Sequence, residues 1–333
     1  MFWTTYPLFN LIQTKLNNNK FKSLQFNKEI MESPTGIDPI IITQNKNSNL
    51  LPDIKLFIKN NFGEPPKTPI LDIPENKLLG NKDHIIVIRD INNNIVGCIR
   101  YHYIGVFLTS KNEEMYCVDC FTVNKKWRKK GVGDYLLTCL HNYFNSNNIP
   151  HSMFLKEGNI LPIIHTPIYT GVYVFRKLEK MISKNVLHLT TDQAYKMIDI
   201  FYEMNPKLFI IRNNASTNQF WKLYENNKNN TYKILVCFQD TYQRFEENGK
   251  MKKICWATGW IESPNITDNI REEASNELSA SMYPEFDYVW MNKDWIGLNL
   301  ENSSVWKIDG FFHWYLYQWA TNISIKKSYC ILN

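Results

Sequence analysis

No stretch of the 333-residue sequence stays apolar over the roughly 18–20 residues that a bilayer-spanning helix needs, so an integral membrane protein is not expected. The opening MFWTTYPLFNLIQTKL has no basic start and no small-residue cleavage site, which argues against a secretory leader. Phe2 stands where N-terminal lipidation would require glycine. The seven cysteines are an odd number and are scattered. A disulfide-stapled secreted fold is therefore not expected, and a reducing, cytoplasmic setting is. Cys117 and Cys120 in CVDC form the one close pair, but no second CxxC and no histidine pair completes a metal site. They read as two cysteines of one strand, on opposite sides by strict alternation. No charge sign dominates either. A net +6 over this length is too small to point to nucleic acid. A low-complexity linker is missing, so two halves, 1–180 and 181–333, are expected to pack tightly.

What is present is a globular composition, 44% apolar and 21% charged, which excludes a disordered chain. A helix is expected near Pro52–Asn61, then a proline-rich loop. HIIVIRDINNNIVGCIRYHYIGVFL places two β-branched runs around a DINNN turn and predicts a hairpin. EEMYCVDCFTV predicts a third strand, Val132 to Phe144 a helix, HSMFL a fourth strand and GVYVFRKL a fifth. The second half has the same rhythm. TTDQAYKMIDIFYEM predicts a helix capped by Thr191 or Asp192. TYKILVCF and KKICWATGWI predict strands, NIREEASNELSASMY a helix, and FDYVWM and FFHWYLYQW late strands. This order predicts an α+β fold with mixed sheets flanked by helices.

Between the third strand and its helix lies RKKGVG, Arg128 to Gly133, followed by Asp134. In that place a glycine loop can wrap backbone N–H groups around a diphosphate, with the helix N-terminus adding partial positive charge. Lys125, Lys126, Arg128, Lys129 and Lys130 supply counter-charge. A P-loop would need Gly-Lys-Ser/Thr, which is absent, and a Rossmann turn would not follow a hairpin. The arrangement resembles the acyl-CoA loop of the GNAT superfamily. The second half has no counterpart, since its helix begins in acidic TDNIREEA. Two GNAT-like lobes with one acyl-CoA site follow from that likeness.

A closer resemblance is to the N-myristoyltransferase family, glycylpeptide N-tetradecanoyltransferases built of two such lobes. FWTTYP at Phe2–Pro7 resembles that family's FW-x-T-x-P arm over the CoA, carried here by Phe2 and Trp3. DCFTVNKKWRKKGVG resembles its NFLCVHKKLRSKRLA signature, and IDGFFHWYLYQW its Gly-Asp-Gly and YYLYNW segments. The resemblance implies that myristoyl-CoA is the co-substrate. It is held by Cys120, Phe121, Thr122 and Val123 and by the loop residues Arg128, Lys129, Lys130, Gly131, Val132, Gly133 and Asp134. Main-chain N–H groups of Cys120 and Phe121 would form an oxyanion hole. The amine of an N-terminal glycine on a peptide or protein would attack directly, and the α-carboxylate of Asn333 would take its proton. Asp119, Lys156 and Asp309 are the implied substrate contacts. The expected partners are such peptides, with neither nucleic acid nor membrane insertion, and the expected state is a monomer.

This sequence departs from that family's pattern. Asp119 replaces an asparagine, Lys156 replaces a threonine, and Gly131 and Gly133 replace arginine and alanine. Lys156 would oppose a cationic amine unless paired with Asp119 or Glu157. Lys67 enters the acidic loop that retains Glu64 and Asp72. Two other readings therefore stand: a GNAT-type transferase with another acyl donor or amine, and a non-catalytic acyl-CoA or peptide binder. The seven histidines read as isolated, with His313 packed or groove-lining.

Overall fold

The computed structural model describes residues 22–23, 31–63, 68–108, 112–149, 151–161, 167–213, 218–226, 232–297, 303, 305–321 and 329–331. Chain order gives β1 (Lys22–Ser23), β2 (Ile40–Ile42), α1 (Leu51–Asn61), β3 (Ile70–Leu71), α2 (Glu75–Leu78), β4 (His84–Arg89), β5 (Ile95–Phe107) and β6 (Glu113–Val123). Next come α3 (Val132–Ser146), β7 (Ser152–Glu157), β8 (Tyr169–Lys177), β9 (Val186–Leu189), α4 (Thr191–Met204), β10 (Phe209–Arg212) and β11 (Gln219–Glu225). The remainder is β12 (Lys233–Glu247), β13 (Lys250–Glu262), α5 (Asp268–Ala280), β14 (Tyr288–Asn292), α6 (Lys293–Ile296), β15 (Lys307–Tyr317), β16 (Trp319–Ala320) and β17 (Tyr329–Ile331).

Local chemistry sets the predicted hairpin. Asp90 Oδ1 accepts from the N–H groups of Asn92 and Asn94, and Asn93 takes φ 67°, as an Asx-stabilised turn requires. β4, β5 and β6 follow as antiparallel neighbours. Helix α1 starts with proline in its first turn and buries Ile54, Phe57 and Ile58 at helical spacing. Helix α3 buries Leu136, Leu140 and Phe144 against the other face of β5. Gly97 makes that approach close, because a Cβ there would stand 2.8 Å from Leu136 Cδ1. The predicted helix cap moves by one residue. Thr190, not Thr191 or Asp192, caps α4: its Oγ1 accepts from Gln193 N, and its own N–H donates to Gln193 Oε1. Thr190→Ala is expected to cost about 1 kcal/mol, read by urea unfolding.

The predicted duplication is visible in the ladders. In the first half β7 runs parallel to β6 after α3, and in the second β14 runs parallel to β13 after α5. The halves share one sheet. β15 lies between β7 and β8, and β10 pairs with the end of β5. β17 lies between β10 and β13, and β14 pairs with both β8 and β13. The path from β14 through β8, β15, β7, β6, β5, β10, β17 and β13 thus returns to β14. The largest core cluster draws from both halves, including Phe107, Met153, Phe209, Trp260 and Phe312. Continuous burial across the junction matches the tight packing expected from the missing linker.

Candidate functional site at the opening of strands β6 and β7

Strands β6 and β7 pair only at Tyr116–Ser152 and Cys117–Met153, so Val118 to Val123 run on without β7. Along this free edge β6 carries a bulge. Cys98 faces Thr122 and Arg100 faces Asp119, which leaves Cys120 and Phe121 together opposite Ile99. Cys120 adopts φ 48°, an uncommon conformation for a side-chain-bearing residue. Its carbonyl is fixed from within, accepting from Thr122 Oγ1 at 3.0 Å and Cys98 Sγ at 3.6 Å. The bulge also corrects the alternation read from the sequence. Cys117 and Cys120 are both buried, in the junction core and beneath α1, and neither joins the cluster under α3. Burial pushes their thiols, and that of Cys98 to about 12, well up. None is a thiolate near neutral pH.

Beyond Val123 the predicted basic loop closes directly onto α3. Asn124 caps a short turn by accepting from Lys126 N, and Lys129 and Gly131 take φ 62° and 81°. Lys125, Lys126, Lys129 and Lys130 are exposed around the N-terminus of α3. Arg128 plays a different part from its neighbours. Its Nη2 donates to Asn61 O at 2.8 Å and its Nε to Val123 O at 3.3 Å, tying the loop to the end of α1. Gly133 lets Phe121 lie against the helix start, since a Cβ there would meet Phe121 Cζ at 3.2 Å. Bulge, basic loop and helix N-terminus thus follow one another along a single edge of the sheet.

On the face of β5 and β6 away from α3 lies a polar band between two apolar clusters. Cys98 and Cys120 join the cluster under α1, while Ile104 and Cys117 join the junction core. Between them sit Arg100, His102 and Asp119. The Arg100 guanidinium, 8% exposed, grips Asp119 with Nε–Oδ1 at 2.7 Å and Nη2–Oδ2 at 2.6 Å. Its Nη1 donates to the carbonyls of Lys77 and Leu78 at the end of α2. His102 Nδ1 lies 2.9 Å from Oδ2 of buried Asp83, which also accepts from the N–H groups of Gly80 and Tyr103. Burial favours protonation of Asp83, but the His102 and Arg100 charges and these hydrogen bonds hold its pKa down at about 2. With that sign, Asp83 contributes stability above the unfolded value near 3.8, lost as pH falls through about 2.

The structure brings Asp119, Cys120, Phe121, Thr122, Val123 and the residues from Arg128 to Asp134 to one place. Asp119 pairs with Arg100 rather than Lys156, whose Nζ donates to Glu157 O. Lys156 lies three residues beyond the last β6–β7 pair, and Asp309 stands farther out on β15 at a register shift. Asp72 is already engaged by Lys59 at 2.7 Å and Lys55 at 3.9 Å. His313 is packed, with Nδ1 on Thr170 Oγ1 and Nε2 on Gly158 O. Phe2, Trp3, Glu64, Lys67 and Asn333 lie outside the described residues. Among the described residues no group of three or more His, Cys, Asp or Glu could hold a metal ion, and no helix is long and apolar enough to cross a membrane. Arg100, His102 and Asp83 were missed in the sequence. For Arg100 and His102 the signal was there in CIRYHY, where arginine and histidine fall two apart inside an otherwise apolar strand.

Comparison with known proteins bears on the fold that holds these residues. Residues 53–160 match the acetyltransferase (GNAT) family. A Saccharomyces cerevisiae N-myristoyltransferase structure with bound myristoyl-CoA superposes with TM-score 0.65, covering 98% of this chain and 92% of that one at 14% identity. A second structure of the same yeast protein with myristoyl-CoA gives 0.65 over 100% and 94%, also at 14% identity. No curated protein sequence matches the chain. At such identity the likeness establishes the fold. The chain thus carries a match to the GNAT family over residues 53–160, set within a whole-chain fold shared with N-myristoyltransferase.

Proposed function

We propose that the protein transfers a fatty acyl group, myristoyl, from acyl-CoA to the N-terminal glycine amine of a peptide or protein. One observation carries the reading: a bulged strand parts from its parallel neighbour directly ahead of a lysine-rich glycine loop and a helix N-terminus. The loop lysines and helix N-terminus hold the CoA diphosphate. The thioester lies along the free edge of β6, its carbonyl oxygen toward the N–H groups of Cys120 and Phe121. With every nearby thiol held protonated, no acyl-cysteine intermediate forms and the amine attacks the thioester directly. The resemblance assigns the amine's proton to the α-carboxylate of Asn333. Six free cysteines among the described residues fit a cytoplasmic, reducing setting.

A second reading, transfer to another amine, is favoured by the Arg100–Asp119 ion pair on the acceptor side. Myristoyl-CoA with otherwise identical Gly-initiated and Ala-initiated peptides separates the two, because equal acylation of both excludes the glycine-specific reading. The donor site has its own test. Lys129→Glu combined with Lys130→Glu is expected to weaken acyl-CoA binding at least tenfold at low salt, and less at high salt. Calorimetric titration with myristoyl-CoA reads this directly, and unchanged affinity would place the nucleotide elsewhere.

A further inference from the structure

We propose that Arg176 of β8 is the centre of a binding site for a carboxylate, carried by a small organic acid or by an acidic side chain of a protein partner. The proposal does not rest on the transfer reading above, because none of the residues involved takes part in it.

Burial sets the problem. Val174 and Leu178, two residues to either side of Arg176, belong to the junction core together with Ala274 and Leu278 of α5. Arg176 itself is only 5% exposed. A charge in such a row is costly unless an anion pairs with it. Three other arginines with little exposure have that partner: Arg100 grips Asp119, Arg244 grips Asp240 and Arg271 grips Glu262, each through two nitrogens. Among the described residues Arg176 has none. Burial pulls its pKa below the ordinary value, and Glu179, the acid that opposes this, is exposed and forms no ion pair with it.

The guanidinium is aimed by contacts that leave one edge over. Its Nη1 donates to Asn276 Oδ1 at 2.8 Å, and Trp306 Nε1 donates to the same oxygen at 3.2 Å. The Trp306 ring centre lies 5.4 Å from the guanidinium carbon. What remains is the edge of Nε and Nη2, the edge through which Arg100 and Arg271 hold their carboxylates. In Arg176, Nε is buried with no hydrogen-bond partner, and Nη2 meets only Met181 Sδ at 3.6 Å. A thioether is a weak acceptor. Met181 is 50% exposed and sits in the segment 178–185, which is neither helix nor strand. Its unbranched side chain can turn outward and yield its place to two oxygens.

Charge and shape choose the class of ligand. One cation with a flat pair of donors matches a planar, singly charged acid. A phosphate dianion would carry more charge than Arg176 offsets and would be opposed by Glu179 as well. Ile182 and Val305, the chain neighbours of Met181 and Trp306, are exposed apolar side chains, so an acid on a short alkyl stem suits the site. A bound carboxylate gives Nε and Nη2 the partners they lack and stabilises the fold by linkage.

The experiment follows the Arg176 Nε–H signal of the ¹⁵N-labelled full chain at constant ionic strength. The probes are sodium propionate for a small acid, N-acetylglutamate α-amide for an acidic side chain, and sodium phosphate as the contrast. At least one of the two carboxylates should move the signal saturably in the millimolar range and raise Tm, and phosphate at equal concentration should do neither. Response to propionate alone assigns the site to small acids, and response to the amide alone or to both admits a protein side chain. Met181→Ala, which clears the edge, should tighten binding by about threefold or more. Arg176→Lys, which keeps the charge without the fork, should weaken it by about tenfold or more. No shift with either carboxylate, a phosphate shift equal to theirs, or unchanged affinity in Arg176→Lys overturns the proposal. If Arg176→Lys does not fold, Met181→Ala decides: tighter binding sustains the site, and equal or weaker binding overturns it.

Discussion

Arg100→Met is expected to destabilise the protein by roughly 3 kcal/mol, measured by urea unfolding. The methionine keeps the apolar stem but leaves Asp119, 30% exposed, without the two charge-assisted bonds that hold it. It also strands the Lys77 and Leu78 carbonyls, which the guanidinium now satisfies. Solvent reaching Asp119 keeps the cost below that of a fully buried ion pair. The second substitution separates the causes. Asp119→Asn in the Arg100→Met background removes the orphaned charge and should recover about 1–2 kcal/mol. A single-variant loss under about 1 kcal/mol would mean that the pair does not anchor α2 to the bulged strand.

Gly105→Ala should be more damaging, at about 3–5 kcal/mol, with loss of soluble protein at growth temperature as its first sign. Gly105 has φ 126°, where L side chains are strained, and a Cβ would stand 2.3 Å from the Arg212 carbonyl oxygen and 2.9 Å from Asn213 N. Both neighbours are backbone, so no rotamer change relieves the contact. The clash lies where β10 joins β5, and hence where the halves meet. Gly249→Ala is the control. It also has positive φ, 71°, but its Cβ would meet nothing within 4 Å, so only the local cost of about 1–2 kcal/mol is expected. Equal losses in the two variants would show that backbone strain, and not the seam, sets the effect.

What the sequence made legible was mostly local. The DINNN turn carries its own Asx chemistry, and RKKGVG sits between an apolar strand and an amphipathic helix, so both announce themselves within a few residues. The cap of α4 was off by one because Thr190, Thr191 and Asp192 are all able caps, and Gln193 reaching back to Thr190 decides among them. Long-range pairing left less trace. Nothing in FFHWYLYQW says that β15 will insert between β7 and β8, or in SYCILN that β17 will pair with β10 and β13. The bulge was hidden for a different reason. One extra residue in β6 leaves composition untouched yet moves Cys120 to the other face. The histidines looked isolated because Asp83 lies 19 residues before His102 in sequence and only folding joins them. Arg100 and Asp119 are likewise 19 apart, joined across the hairpin.

The wedge of β17 between β10 and β13 has a consequence for biosynthesis. On the ribosome, both of those edges are made more than 60 residues before Tyr329 emerges. Through that interval each offers bare main-chain donors and acceptors to any passing polypeptide. Synthesis thus leaves a window for stray association that shuts only when the last strand slots home.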